Sequence, residues 1–357
     1  MTTSLEILSP GLLSTLQDEG RFGMASSGVP RAGAVDPVSL QIGNALVGND
    51  PFTAAIEFRF MGPKIKAHGG PIRLGLAAET TATLTCADDE GEAEEICPWR
   101  SFLMQDGDIL TIKPLKGVAT GYLTIGGGAD ISPVLGSHST YARASLGGLD
   151  GSPLKEGDQI PTFAARATEI DRVVSKPYAS ANAPIRVIAG PQDDYFSNET
   201  LSRFTDQPFT VSKDADRMGI RLEGDEINAL PEKGHDLISD GSVPGAIQVP
   251  GSGQPIILFM DCQTVGGYPK IGGVIAADMH RLGQLLPGSE IQFEFVDLKT
   301  AQDISRAQQE QIEKTIASIA EYVEVGVINQ NALYTQNLVD GIVDAGRPDH
   351  FAGQLEA

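Results

Sequence analysis

A chain of 357 residues is long enough for two or three domains, and its 41% of apolar residues can fill a sizeable core. The net charge of -21 argues against nucleic acid or an anionic membrane as a partner, because both require a basic surface. No apolar run reaches about 18 residues and no basic segment precedes an apolar stretch at the start, so we expect no membrane span, no signal peptide and a cytoplasmic location.

Ten short β-like runs follow one another along the chain, and many are bounded by Gly, Pro, Asp or Asn, the residues of turns. The runs are Leu5–Leu8, Ile56–Phe60, Ile72–Leu76, Ile109–Ile112, Gly121–Ile125, Ile185–Ala189, Phe209–Ser212, Ala246–Val249, Ile256–Met260 and Ile291–Val296. The pattern predicts a mainly β (α+β) protein with few helices.

Three segments carry helical signals. Asp36 is a good N-cap with Pro37 at the first helical position, and the sequence Gly48-Asn49 is a good stop. A second helix is predicted from Asp193 to Phe204, and a third from Leu298 to about Val325. The apolar stripe of the third consists of Ile312, Ile316, Ile319 and Val323.

The two halves of the chain resemble each other weakly, since residues 58–65 align with residues 220–227. We interpret this as two related β domains; chance matching between β-rich sequences is the alternative. The predicted domains are residues 1–175, residues 180–298, and a helical extension and tail at residues 299–357. The extension includes a short predicted docking helix from Asn329 to Ala345.

The stretch from Asp261 to Ile271 follows a strongly apolar run and is dense in polar and turn-forming residues. Two adjacent glycines allow the backbone to turn or to approach a ligand closely. Tyr268 is biased toward an extended conformation by the proline after it, and Lys270 adds a mobile cation. With Gln263, these residues suit an anionic or amide substrate; a tight turn with a solvated lysine is the alternative.

Two Gly-rich loops near the N-terminus, at residues 11–23 and 27–37, carry arginines and carboxylates. Arg21 and Arg31 on such loops suit a bidentate grip on a carboxylate or phosphate. The alternative is an internal pair of an arginine with an acid such as Asp18, which would hold the loop in place.

Further along, Arg217 lies beside Asp216, which indicates either a charged site or a strand-entry turn. The pair His235-Asp236 suits acid–base chemistry, but adjacent residues on an extended chain point to opposite sides, so a structural role is favoured. The other histidines lack ligand spacing, so no metal site is predicted. The odd, irregular set of three cysteines indicates reduced thiols.

The chain lacks the phosphate-loop, dinucleotide-binding and nucleophile-elbow motifs. Gly126-Gly127-Gly128, after a β-like run, is a weak candidate for a phosphate contact. An enzyme built from this chain would therefore use an unfamiliar site, or one completed by another polypeptide.

A series of motifs between residue 5 and about residue 296 resembles the motifs of a known protein family. The motifs run from Thr15 to Arg21, Gly28 to Pro37, Asn44 to Asn49, Gly190 to Asp193, Asp216 to Gly219, Gly245 to Pro250, and Gln263 to Lys270. In these motifs the chain resembles the allophanate hydrolase subunit 2 family, also called the biotin-dependent carboxyltransferase or KipA-like family, which includes the C subunit of 5-oxoprolinase.

The resemblance implies two cyclophilin-like β-barrel domains and an obligate partner, the KipI-like subunit 1 protein. In 5-oxoprolinase, these two subunits and a LamB/YcsF-type third subunit open 5-oxoproline to glutamate at the expense of ATP. In urea carboxylase, the equivalent region forms half of the carboxyltransferase that moves CO2 from carboxybiotin to urea. Both substrates are small amides, and both reactions polarise an amide carbonyl.

Two family arginines are replaced in this chain. The usual Gly-Ser-Arg-Ser-Thr-Tyr motif has His138 in place of the arginine, and the usual Asp-Arg-Gln-Thr motif has Cys262. The C-terminal extension is also long for the family. These departures are consistent with a variant that acts on another lactam or amide.

The leading hypothesis is a subunit of an ATP-dependent 5-oxoprolinase whose active site is shared with a partner, with ATP and Mg²⁺ as cofactors. The candidate catalytic residues are Lys270, Tyr268, Arg217, Asp216 and Gln263. The candidate substrate-binding residues are Gln17, Asp18, Arg21, Arg31, Gln248, Gly266 and Gly267. In this hypothesis the cations stabilise the transferring phosphoryl group and the glutamines orient the amide. Asp18 or Asp216 would hold Mg²⁺ or accept a proton, and Tyr268 would donate to the carbonyl oxygen.

Two other hypotheses remain open. One is a carboxyltransferase served by biotin on a separate carrier, because no Met-Lys-Met attachment motif occurs here. The other is a non-enzymatic KipA-like regulator that sequesters a KipI-like kinase inhibitor.

Overall fold

The computed structural model describes residues 3–87, 93–164, 170–179 and 183–323. Residues Met1–Ala320 form one compact unit, and residues 321–357 form a second. The helix predicted from Asn329 to Ala345 lies outside the described residues. No helix in the described part of the chain combines the length and apolar character needed to cross a bilayer.

Two antiparallel sheets are built from the first part of the compact unit. Their strands are β1 Thr3–Ser9, β2 Leu13–Gln17, β3 Ala55–Arg59, β4 Lys64–His68, β5 Ile72–Ala77, β6 Ala82–Thr85, β7 Ala93–Ile96, β8 Arg100–Met104, β9 Ile109–Ile112, β10 Thr120–Ile125, β11 Gln159–Thr162 and β12 Arg172–Val173. One sheet has the order β11-β1-β4-β9-β6-β7, and the other includes β2-β3-β10-β5-β8-β12. Apolar side chains from both sheets, such as Leu5, Phe58 and Leu74, share one buried core.

A third sheet follows in the chain and nearly closes on itself. Its region contains β13 Ile185–Ala189, β14 Phe209–Val211, β15 Gly219–Glu223, β16 Asp240–Gly241, β17 Ala246–Gln248, β18 Ile256–Leu258, β19 Val265–Gly266, β20 Lys270–Val274, β21 Glu290–Ile291 and β22 Phe293–Phe295. The sheet order is β21-β14-β15-β18-β17-β20-β13-β22, while β16 and β19 pair separately. Its two edge strands, β21 and β22, are separated only by Gln292, so the sheet forms a barrel-like structure.

Four α-helices complete the elements of the described chain. They are α1 Pro37–Leu46, α2 Asn198–Asp206, α3 Met279–Gly283 and α4 Leu298–Ala317, with 3-10 turns at Ala25–Ser27, Ala142–Ala144, Asp193–Tyr195 and Ala276–Asp278 and a final strand β23 Ala320–Glu321. Helix α1 begins as predicted, because the Asp36 carboxylate accepts hydrogen bonds from the Val38 and Ser39 N–H groups. Ile312 of α4 joins the buried cluster that includes Leu40 and Tyr122. Helix α4 therefore packs on the N-terminal sheets through α1.

The predicted fold class, mainly β with barrel-like domains and a C-terminal helix, is confirmed. The sheets draw on residues 3–173 and 185–295, whereas the domain boundaries proposed from the sequence stay a prediction. The predicted strand at residues 291–296 is interrupted at Gln292, where the barrel edges meet.

The helix predicted from Asp193 to Phe204 was wrong as a single element. A 3-10 turn ends at Tyr195, and α2 starts only after Ser197, whose side chain accepts from the Thr200 N–H. Phe196 between them is extended and buried. Burial of this aromatic ring and a new N-cap thus divide the segment.

The predicted end of the last helix near Val325 was also wrong, since α4 ends at Ala317. The hydroxyl groups of Thr315 and Ser318 donate to main-chain carbonyls of the last turns. Such local bonds compete with the regular helical pattern and favour termination.

Candidate functional site

Arg217, predicted to be catalytic, lies buried where the two β regions meet. Its guanidinium donates two 2.9 Å hydrogen bonds to Asp261, one of 2.5 Å to Glu57 and one of 2.7 Å to the Gly33 carbonyl. Burial opposes the charge of Arg217, but the two carboxylates outweigh it and raise its pKa. Glu57 also accepts from the Tyr122 hydroxyl at 2.6 Å. Arg217 is therefore a buried tie between the two β regions, with its donors directed at protein acceptors.

Asp18, proposed from the sequence to hold Mg²⁺, instead fixes a neighbouring loop. Its carboxylate accepts from the hydroxyls of Ser137 and Ser139 and from the N–H groups of Gly20 and His138. Burial alone would raise the pKa of Asp18, but these four hydrogen bonds lower it overall. The loop that carries His138 is thus held to the N-terminal segment by this one carboxylate.

Replacing Asp18 by Asn is expected to lower the free energy of unfolding by about 2–4 kcal/mol at neutral pH. The side-chain nitrogen of the asparagine would be a donor that faces other hydrogen-bond donors, where the carboxylate oxygen accepts. The folded-state pKa of Asp18 lies below its ordinary value of 3.8, so its stabilising contribution is complete above that value and is lost as the pH falls through the folded value. The difference in free energy of unfolding between the unchanged protein and Asp18→Asn, measured by denaturant unfolding from pH 7 to pH 3, should therefore shrink in acid. The exposed Asp150→Asn is the matched control, and a deficit that stays constant with pH would contradict the assignment.

Lys270 lies at the centre of a second polar cluster, in the C-terminal β region. Its side chain is 4% exposed, and its ammonium donates to the exposed carboxylate of Asp240 at 3.1 Å. The side-chain oxygen of Gln192 accepts from the main-chain N–H of Lys270 at 3.1 Å, and the side-chain nitrogen of Gln192 donates to Asp240 at 3.4 Å. Hydrogen bonds from Lys270 and from the Gly241 N–H lower the pKa of Asp240. A buried cation is thereby held under a solvent-facing carboxylate.

The pairing of β17 with β20 places Gln248 opposite Lys270, after a register shift between Ile247 and Gln248. The side chain of Gln248 is buried, and its amide nitrogen has no hydrogen-bond partner among the described residues. The buried hydroxyl of Ser242 is likewise without a partner in that part of the chain. An unsatisfied buried polar group costs about 1–3 kcal/mol, so each of these two groups is a candidate for contact with a ligand.

Both unpartnered groups lie beside Gly266. A Cβ at this position would overlap the Gln248 amide nitrogen and come within 3.0 Å of the Ser242 hydroxyl. At Gly267, the nearest atom to such a Cβ is the Leu237 carbonyl oxygen at 3.3 Å. The absence of a side chain at Gly266 therefore leaves room for the side chain of Gln248. A side chain at Gly267 would not approach Gln248.

Gly266→Ala is expected to displace the Gln248 amide while lowering the free energy of unfolding by less than about 1 kcal/mol, since a flexible side chain can move. Gly267→Ala is the matched control and should leave Gln248 in place. Crystal structures of both variants, with denaturant unfolding, give the measurement. Retention of the Gln248 position in Gly266→Ala would contradict the interpretation.

The segment Cys262–Tyr268 separates two pockets. Gln263 and Tyr268 line a polar cleft of about 480 Å³, together with Asp216, Arg143 and Gln248. Cys262 and Thr264 line an apolar cavity of about 600 Å³ on the other side. The structure therefore divides seven of the twelve predicted site residues between two pockets, whereas Lys270, Arg217, Gly266 and Gly267 line neither of them.

The polar cleft receives four of the predicted residues: Asp216, Gln248, Gln263 and Tyr268. The apolar cavity receives three others: Asp18, Arg21 and Arg31. Gln17 lines neither pocket and donates to Thr15 and to the Thr140 carbonyl. Asp216 is exposed, and one of its oxygens accepts from the Met218 and Gly219 N–H groups, as in a strand-entry turn.

Sequence reasoning missed Asp240, Gln192, Ser242 and Arg143 as members of these sites. Gln192 stands in one of the family motifs, but nothing local indicates that it or Asp240 would meet Lys270. Their contacts depend on strand pairing between distant segments.

The two positions where family arginines are replaced have different surroundings. The imidazole of His138 lies 3.2 Å from the Ile131 carbonyl oxygen and 3.5 Å from Asp18. Cys262 is buried against Ala246 and Leu258, and burial, with a smaller contribution from Asp261, raises the pKa of its thiol to about 12. The thiol is therefore protonated at neutral pH and forms part of an apolar wall.

No group of three or more His, Cys, Asp or Glu side chains within the described ranges is placed to hold a metal ion. His280 packs edge-on against Tyr178 at 5.3 Å, and His68 contacts Glu6 at 2.6 Å. These histidines have structural partners.

The chain thus combines a pair of packed antiparallel sheets with a barrel-like third sheet, and the match below identifies this arrangement as a carboxyltransferase domain. The family model for the carboxyltransferase domain, subdomains A and B, matches residues 27–295, and the chain belongs to this family. It is 34% identical over 312 residues to the C subunit of 5-oxoprolinase from Escherichia coli, and the match covers 87% of this chain and 97% of that protein. The protein of the same name from Haemophilus influenzae is 34% identical over 309 residues, covering 85% and 94%.

Among solved structures, the crystal structure of the Kluyveromyces lactis urea carboxylase superposes with a TM-score of 0.77 at 28% identity. The match covers 90% of this chain and 30% of that protein. The bacterial relatives are named as one subunit of an enzyme, whereas the yeast relative contains the equivalent region within a larger chain.

Proposed function

We propose that this chain is a subunit of an ATP-dependent 5-oxoprolinase that opens 5-oxoproline to L-glutamate. Its proposed partners are a KipI-like subunit and a LamB/YcsF-type subunit, with the active site completed in the assembly. The names of the two bacterial relatives support the reaction. The observation that carries the site is the buried Lys270 ammonium on the same strand pair as the unsatisfied Gln248 amide.

The chemistry requires activation of a lactam, because amide resonance makes its carbonyl carbon a poor electrophile. ATP, when bound, would supply the phosphoryl group that makes this carbon electrophilic, so that water adds to it, the ring C–N bond breaks with protonation of the nitrogen, and phosphate is released. Lys270 would stabilise negative charge that develops on the lactam oxygen, and its burial strengthens this effect. The free N–H of Gln248 would orient the lactam, and the half-exposed Tyr268 hydroxyl would donate at the cleft mouth.

Within the described ranges, no set of side chains is placed to form a resident Mg²⁺ site. Asp18 already accepts four hydrogen bonds, and the described residues contain no carboxylate cluster for a metal. We propose that Mg²⁺ arrives with the nucleotide phosphates, at groups contributed largely by the partner subunits.

Co-expression with the KipI-like and LamB/YcsF-type subunits, followed by measurement of glutamate and ADP, tests the proposal. Glutamate should form from 5-oxoproline only when all three subunits and ATP are present, with equal amounts of ADP. Omission of this chain is the control. A stable assembly of all three proteins that forms no glutamate would contradict the proposed function.

A carboxyltransferase served by biotin on a separate carrier is the second candidate. It is favoured by the family description and by the superposition on urea carboxylase. Carboxyl transfer would need no ATP at this site. Transfer of labelled CO2 from carboxybiotin to a small amide, by this chain with its KipI-like partner, would favour this reaction over lactam opening.

A further inference from the structure

The apolar cavity of about 600 Å³ is separate from the polar cleft of the proposed reaction. Its walls come from both β regions and are mostly apolar, including Val35, Phe52, Met260, Cys262 and Met279. A volume of this size is typical of small-molecule sites and exceeds what a five-membered lactam would fill. Water alone would be poorly hydrogen-bonded against such walls.

One wall carries a guanidinium with unused donor capacity. Arg21 is 2% exposed and lines the cavity. Its Nε donates to the Val134 carbonyl at 3.1 Å, and its Nη2 donates to the Ser139 carbonyl at 2.5 Å. Its Nη1 is buried and has no partner among the residues that the structure describes. The hydrogen bonds of this cation thus go to neutral carbonyl groups, and one nitrogen is left for a further acceptor.

The nearby acids do not supply that acceptor. The negative charge of Asp18 favours the charged form of Arg21, but the oxygens of Asp18 accept hydrogen bonds from the Ser137–Ser139 loop and from Gly20. A second guanidinium, that of Arg31, lies 4.4 Å from the centre of the Phe22 ring at the same wall. Its Nε donates to the main-chain carbonyl of Glu19 at 3.2 Å.

Ser242, whose hydroxyl is unpartnered in the described part of the chain, also lines the cavity. This residue is 6% exposed, and its N–H donates to the Thr264 carbonyl at 2.9 Å, which places Ser242 firmly in the wall. Two buried polar side chains without partners in the described part of the chain therefore line one mostly apolar cavity.

We propose that the apolar cavity is a second ligand site, which binds a small carboxylate with an apolar body. The carboxylate accepts from Arg21 Nη1, the apolar body lies against the Met260–Cys262 wall, and the Ser242 hydroxyl adds a hydrogen bond. A carboxylate is favoured over a neutral carbonyl because it would accept a charge-assisted hydrogen bond from the buried guanidinium of Arg21. The cavity is also lined by Asp18, whose oxygens already accept hydrogen bonds, and by the exposed Glu19. Binding at this site does not depend on the proposed lactam reaction.

The test uses the full chain and 4-phenylbutyrate as the probe, with 4-phenylbutan-1-ol as its uncharged analogue. Isothermal titration calorimetry should show one site for the acid and binding at least about tenfold weaker for the alcohol. Saturating 5-oxoproline should not displace the acid, because its proposed site is the polar cleft. Equal binding of acid and alcohol, or displacement by 5-oxoproline, would overturn the proposal.

Ser242→Ala should weaken binding of 4-phenylbutyrate about fivefold or more, whereas Ser252→Ala, which removes a hydroxyl from the polar cleft, should leave it unchanged. Arg21→Met should abolish the preference for the acid over the alcohol. Because Arg21 also holds two loop carbonyls, the serine pair provides the test if that variant does not fold. Equal affinities of the two serine variants would refute the placement of the probe.

Discussion

Replacement of Arg217 by Met is expected to lower the free energy of unfolding by about 3–5 kcal/mol. Arg217 holds the carboxylates of Glu57 and Asp261, whose side chains are only 1% and 12% exposed. Without the guanidinium, two neighbouring carboxylates remain buried without their counter-charge, which is more costly than the loss of the pair itself. Denaturant unfolding of the full chain measures this effect.

Arg221→Met is the matched control, because Arg221 is an exposed arginine on β15, four residues further along the chain. Its effect should stay within about 0.5 kcal/mol. Adding Glu57→Gln to Arg217→Met should recover part of the loss, since one uncompensated charge is removed. A loss below about 1 kcal/mol for Arg217→Met would show that the buried network does not hold the two β regions together.

Lys270→Met is expected to reduce glutamate formation by the assembled complex by about 10²–10³-fold. Methionine occupies a similar volume in the buried slot, so the fold and the assembly of subunits should persist, with the exposed Asp240 returned to water. The expected loss is in turnover, because the ammonium acts on charge that develops during the reaction. Turnover and gel filtration of the complex, measured side by side, separate catalysis from assembly.

Lys155→Met is the matched control, because Lys155 pairs with Asp150 at 2.7 Å on the surface, far in sequence from the cluster. Its turnover should equal that of the unchanged protein. Asp240→Asn should have a smaller effect than Lys270→Met, since the carboxylate only positions the cation from the solvent side. Full turnover by a Lys270→Met complex would remove Lys270 from the mechanism.

The roles of the charged candidates show where sequence reasoning was limited. Arg217 and Asp18 carry residue types suited to phosphate and metal, yet both are satisfied by protein groups. For Asp18, the alternative of an internal contact that fixes the loop describes the structure better than a ligand role. For Arg217, the sequence suggested a strand-entry turn as the alternative, whereas the structure shows a buried ion-pair network. Residue type alone could not decide between these roles, because the partners of Arg217 lie up to 184 residues away in the chain.

By contrast, the cluster at Lys270 was indicated by its own segment. The paired glycines, Tyr268 and Lys270 were recognised as a ligand-type turn, and the structure places Gln248, Gln263 and Tyr268 at one cleft. What the segment could not show is that its two faces serve different pockets. That division follows from the alternation of an extended backbone between two packed regions.

The sequence by itself determined most strand positions, the start of α1 at Asp36 and the family, because these depend on local periodicity, turn residues and short motifs. Only the tertiary structure decided which polar residues meet. The register shift before Gln248 sets it opposite Lys270, and pairing of β16 with β19 brings Asp240 to that cation. Such contacts arise from strand register and burial between distant segments, where a shift of one residue would turn each side chain to the other face.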